Sequence, residues 1–129
     1  SGGASLTPTG TSVDTSQTTS STTYTDLTTA GPAATVTVGA SGTVLVFLHC
    51  DIAPSSGQGW ASFAVSGATT QAAADTSSLR SRGSTAGSAF GSTFLLTGLT
   101  PGSTTFTAKY RGDGSSIAFA YRKIAVLPL

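Results

Sequence analysis

Ala34-Thr-Val-Thr-Val38, Gly39-Ala-Ser-Gly42 and Thr43-Val-Leu-Val-Phe-Leu-His-Cys50 read in succession as strand, turn and strand, and this reading decides the fold. The first segment alternates apolar and polar residues with period two, which places one face in a core. The third is almost continuously apolar, the pattern of a central strand covered on both faces. Toward the C-terminus, Pro54-Ser-Ser-Gly-Gln-Gly59 is a loop and Trp60-Ala-Ser-Phe-Ala-Val65 a further strand. Thr69 to Ala74 reads as a weaker partner strand after the Ser66-Gly67 turn. Residues 75–89 carry only Leu79 as a sizeable apolar anchor and are expected to form a long surface loop, where binding is often placed. Phe90, Phe94, Leu95 and Leu96 announce the next strand, Leu99-Thr-Pro-Gly102 turns the chain, and Thr104 to Tyr110 alternates again. After Arg111-Gly-Asp-Gly114, a tight turn, Ile117 to Leu127 is the last strand. No helix and no internal repeat is expected.

On the N-terminal side, Tyr24-Thr-Asp-Leu27 alternates and Gly31-Pro32 punctuates. Residues 1–21, SGGASLTPTGTSVDTSQTTSS, have almost no large apolar side chains, so alone they cannot offset their own ordering entropy. They are expected to form an extended arm lying against this domain, a second copy or another protein. Ser1, in place of Met, suggests a processed or trimmed start. The fold class is all-β: a single antiparallel β-sandwich over residues 22–129, jelly-roll or immunoglobulin-like, preceded by the arm.

Composition agrees. Ser and Thr make up about a third of the 129 residues, while Met, Asn and Glu are absent. Charged residues are only 9% of the chain, six Lys or Arg against five Asp, well below the roughly 25% of an ordinary soluble domain. Nucleic-acid binding needs a clustered basic field, and Arg80 with Arg82 is too small a cluster to provide one. No apolar run approaches the roughly 20 residues of a membrane-spanning helix.

The same scarcity of charge bears on catalysis. His49 adjoins Cys50, and these are the only histidine and the only cysteine, but successive side chains of a strand point to opposite faces. Asp14, Asp26, Asp51, Asp75 and Asp113 show no spacing that favours a carboxylate pair. Neither a zinc spacing nor a calcium loop is present, and the serines lack a base. The chain is therefore expected to be non-catalytic, with no cofactor and no metal. Arg111-Gly112-Asp113 matches the tripeptide of integrin ligands, but glycines and Asp at a hairpin tip are explained by turn geometry. Trp60, beside a Gly-rich loop and on the face opposite Phe63 and Val65, is a candidate for stacking on a surface glycan or for a place in the core or an interface. Together with Leu79, Arg80 and Arg82 it forms the expected ligand or partner contact.

Two stretches resemble a known family. One is Thr22-Thr-Tyr-Thr-Asp-Leu27 with Gly31-Pro32 and the Thr35 to Val38 and Thr43 to Leu48 strands. The other is Phe94 to Arg111, closed by Phe119-Ala-Tyr-Arg-Lys-Ile-Ala-Val-Leu-Pro128. Together they resemble a β-sandwich domain of virion structural proteins, head decoration or minor tail, of tailed phages infecting actinobacteria. The resemblance implies a place on the virion surface, attachment through the arm to major capsid or tail proteins, and assembly of copies, often as trimers. Leu99-x-Pro-Gly-x-x-x-Phe106 is also similar to fibronectin type III domains, with Phe106 where that family usually has Tyr. The expected function is capsid decoration or cementing. The alternative is a host-receptor or glycan-binding module of a tail or a secreted bacterial protein.

Overall fold

The computed structural model describes residues 7–54, 57–81 and 87–129. Among these residues nine strands are formed: β1 (Thr9–Val13), β2 (Gln17–Thr19), β3 (Ala33–Val38), β4 (Val44–Pro54), β5 (Gly59–Gly67), β6 (Leu79–Arg80), β7 (Ser88–Leu96), β8 (Gly102–Gly112) and β9 (Ile117–Pro128). A single 3₁₀ turn, Asp75–Ser77, is the only helical element among the described residues. One sheet has the order β1-β9-β4-β7, with β2 continuing β1 along β9, and the other has the order β3-β8-β5-β6. All strand pairs are antiparallel. From β2 onward the chain crosses between sheets at almost every connection, staying in one sheet only from β5 to β6. Of the two sandwich topologies open to the sequence, this is the jelly roll.

The core forms where the sequence alternates. Val44, Val46, Leu48, Cys50 and Ile52 of β4 and Ile117, Phe119, Ile124 and Val126 of β9 meet Val36, Val38, Phe63, Val65, Phe106 and Tyr110 from the other sheet. Phe63 packs tilted against Phe94 and Phe106, and Tyr110 against Phe119, at ring separations suited to aromatic pairs.

The inward face of β9 changes parity partway along. Ile117 and Phe119 point inward on odd positions, and Arg122, Ile124 and Val126 on even ones. A bulge makes the switch: β4 advances from His49 to Asp51 while β9 goes from Lys123 back to Ala120. Tyr121, with φ +48°, takes up the extra residue. A one-residue slip turns every later side chain to the other face, so Ile124 and Val126 enter the core and Arg122 is carried in with them.

Arg122 is fully buried. Its Nη1 donates to the carbonyls of Thr29 (3.2 Å) and Gly31 (3.0 Å), and its Nη2 to Gln17 Oε1 (2.9 Å). The guanidinium lies 5.2 Å from the centroid of the Tyr110 ring. Among the described residues, no carboxylate joins this set. A desolvated cation of this kind is kept only by close hydrogen bonds, and here carbonyl dipoles and a ring face supply them.

The Ser/Thr-rich segment takes the first of the places expected for it, against its own domain, and does so as strands. Residues 1–6 of the arm lie outside the described residues. Residues 9–13 and 17–19 pair with β9, so this stretch lies on its own domain and is part of the sandwich. Thr is a good strand former even where hydrophobic alternation is missing, and the edge of a sheet needs no second apolar face. Two local expectations are also corrected. Thr69 to Ala74 contributes only the isolated bridge between Val65 and Gln71. The loop expected at 75–89 contains β6 and the start of β7.

Candidate functional site

The residues expected to touch a ligand do not form an exposed platform. Leu79 is in the core. Trp60 does face away from Phe63 and Val65, yet it is only 8% exposed. The 71–78 segment folds back over this face of the sheet: Ser62 Oγ donates to the carbonyls of Ala74 (3.0 Å) and Ser77 (2.7 Å). Arg111, from the neighbouring strand, sits over the Trp60 ring at 3.7 Å. Its Nε and Nη2 grip Asp75 Oδ1 (3.0 Å) and Oδ2 (2.6 Å), and Tyr24 Oη also donates to Asp75 Oδ1 (2.6 Å). Arg80 is exposed beside Trp60 in register, and Arg82 lies outside the described residues. A sugar ring has no open aromatic face here.

This arrangement also answers the Arg111-Gly112-Asp113 motif. Arg111 and Gly112 are still within β8, and Arg111 is held by Asp75. Asp113 accepts from the Gln58 amide (2.9 Å) and from Ser115 Oγ (2.9 Å), which holds its carboxyl below the usual range. The tripeptide is structural.

His49 and Cys50 part as alternation requires. His49 Nδ1 lies 3.1 Å from the carbonyl oxygen of Tyr121, at the bulge. The Cys50 thiol is buried on the core side and donates to the Asp51 carbonyl (3.2 Å). Burial pushes its pKa up to about 12, against a smaller opposing pull from the Arg122 charge, so the thiolate is scarce at neutral pH. Among the described residues, no group of three or more His, Cys or Asp side chains could hold a metal ion. The two ion pairs among them, Lys109–Asp26 and Arg111–Asp75, each tie one strand of the β3-β8-β5-β6 sheet to a flanking loop.

What remains open is the outer face of the β1-β9-β4-β7 sheet. The apolar run of β4, expected to be covered on both faces, is covered on one only. Leu45 is level with Leu95 of β7 and Leu127 of β9, and Phe47 with Thr93 and Ala125. Leu95 is 61% and Phe47 41% exposed, and Tyr121 at the bulge is 54% exposed. Gly10 of β1 stands opposite Ala125. These small residues leave a shallow trough of about 390 Å³ beside Phe47, bounded also by Ser12, His49 and Lys123. Sequence reading missed this site. The signal was present in the apolar odd positions of 43–50, which periodicity alone cannot distinguish from a buried second face.

No family model matches the chain, and no curated protein matches it. Among solved structures it is similar to the Eiger TNF from S. frugiperda (17% identity, TM-score 0.48), covering 74% of this chain and 64% of that one, less than two thirds of its length. It is also similar to TmCBM61 in complex with β-1,4-galactotriose (13% identity, TM-score 0.46), over 90% of this chain and 67% of that one. A third similar structure is that of Bacillus endospore appendages, which form disulfide-linked pili (12% identity, TM-score 0.46; 98% and 92% covered).

Proposed function

We propose that this chain is a non-catalytic structural module displayed on a virion surface, in the role of capsid decoration. The observation that carries the reading is how its reactive side chains are used. Arg111, Asp75, Lys109, Asp26, Asp113 and Arg122 all serve as internal struts, the one thiol is buried, and the large exposed apolar side chains of the sandwich gather mainly on one sheet face. Such a molecule acts through shape and attachment. The low charge and the resemblance to phage virion proteins support placing it on a particle. Copies fixed at regular points on a shell would strengthen one another through effective concentration.

Attachment through the 9–19 segment is the weaker part of the expectation, since β1 and β2 are tied to β9. The glycan-binding alternative loses its main support with Trp60 beneath Arg111. Mass spectrometry of gradient-purified virions tests the proposal. Peptides of this chain at copy numbers comparable to a shell subunit are expected, and a chain found only outside the particles would contradict it.

A further inference from the structure

We infer that the outer face of the β1-β9-β4-β7 sheet is an interface with a second copy of this chain. The two sheets differ in how their outer faces are treated. The chain covers part of its other sheet itself, with the 71–78 segment lying over Ser62 and with Arg111 over Trp60. On the β1-β9-β4-β7 sheet it leaves Leu95 and Phe47 exposed beside the half-buried Leu45 and Leu127. An exposed apolar group of this kind on a domain otherwise coated in hydroxyls marks an interaction surface.

Three features identify the occupant as another copy. First, an isologous contact needs a surface that is its own complement. This face carries both a projecting ring, Phe47, and beside it the trough floored by Gly10 and Ala125. Second, it bears charges of both signs, among them Lys123 and Asp51 on adjacent strands, which form no ion pair with each other. A two-fold brings Lys123 of one copy to the partner's Asp51 and the reverse, whereas a face of single sign would repel its own image. Third, the extent is right. The four strands, of 5, 12, 11 and 9 residues, lie about 4.8 Å apart and rise about 3.4 Å per residue, which gives a face of roughly 600 Å². A stable complex buries about 800 Å² on each partner.

The inference concerns the purified chain in solution and stands apart from the virion reading. Sedimentation velocity and equilibrium of the full chain test it. The wild-type protein is expected to show a concentration-dependent oligomer, with Leu95→Lys and Phe47→Lys each raising the dissociation constant at least about 100-fold, as loss of a central apolar anchor does. Thr93→Lys, at an exposed position level with Phe47, gives the same reading if either of those variants folds poorly. Asp51→Lys alone is expected to weaken association, and Asp51→Lys combined with Lys123→Asp to restore it. A wild-type chain that stays monomeric at the highest soluble concentration overturns the inference and leaves the face to a different protein or to a ligand. Association untouched by Leu95→Lys and Thr93→Lys also overturns it, and failure of the double reversal to restore binding overturns the two-fold arrangement.

Discussion

Arg111 lies 3.7 Å from the centroid of the Trp60 ring while its Nε and Nη2 hold both oxygens of Asp75. The cation thus joins β8, β5 and the 3₁₀ turn in one clamp, and Tyr24 closes its far side with a hydrogen bond to Asp75. Arg111→Ala is expected to uncover the only tryptophan in the chain. A red shift of its emission in the folded state is the measurement, and unchanged emission would mean that other groups cover Trp60.

The Arg111 hydrogen bonds, with that of Tyr24, hold the Asp75 carboxyl below its ordinary range. A depressed folded-state pKa contributes stability that is present above the unfolded value of about 3.9 and is lost as pH falls through the folded one. Because Asp75 is about half exposed, the contribution is small, about 1 kcal/mol or less. Asp75→Asn is expected to lower the melting temperature slightly at neutral pH, with the gap from wild type closing in acid. A gap that persists below the folded pKa would assign the loss to the side chain's shape.

Arg122 ties the N-terminal strands to the core. Arg122→Ala removes the cation and leaves the Thr29 and Gly31 carbonyls and Gln17 Oε1 without this donor. A loss of about 3 kcal/mol is expected from chemical denaturation, as for breaking a buried charged network. Gln17→Ala should cost about 1 kcal/mol, and less in the Arg122→Ala background, where only its two hydrogen bonds with Thr29 remain to be lost. Deleting residues 1–21 also takes away β1, β2 and Gln17, so it is expected to destabilise the domain as well as to alter any attachment.

Cys50 provides a report on unfolding. With its pKa raised to about 12 by burial, the thiol should resist alkylation at neutral pH and react at the rate of global opening. The raised value also means that stability present below the unfolded thiol pKa of about 9 is lost as pH rises toward the folded one. Fast labelling of the native protein would contradict this placement.

Two glycines separate packing from backbone strain. A Cβ at Gly59 would lie 2.5 Å from Ile117 Cγ2 and 3.0 Å from Ile52 Cγ2, between the sheets. At Gly98 nothing lies within 4 Å, but φ is +71°. Gly59→Ala is expected to cost about 2 kcal/mol by overpacking, and Gly98→Ala about 1 kcal/mol through strain alone. Equal losses in denaturation midpoints would remove the distinction.

The strands built around Ala34 to Val38, Thr43 to Cys50, Trp60 to Val65, Thr104 to Tyr110 and Ile117 to Leu127 were legible because alternation records which face is buried. The parity switch on β9 was not read, because a change of phase between Phe119 and Ile124 has meaning only once the bulge at Tyr121 is seen. The pairing of 9–19 was hidden because a polar edge strand carries no hydrophobic period. The face of Trp60 was legible, but its cover, Arg111 and the 71–78 segment, was hidden because it comes from distant parts of the chain. The open face of β4 was hidden for a related reason: apolar side chains on both faces of a strand do not say whether the second cover belongs to the same molecule.

A cryo-electron microscopy map of the native particle tests the central claim most directly. The account expects this jelly roll on the outside of the shell. Its absence from the particle would contradict the account.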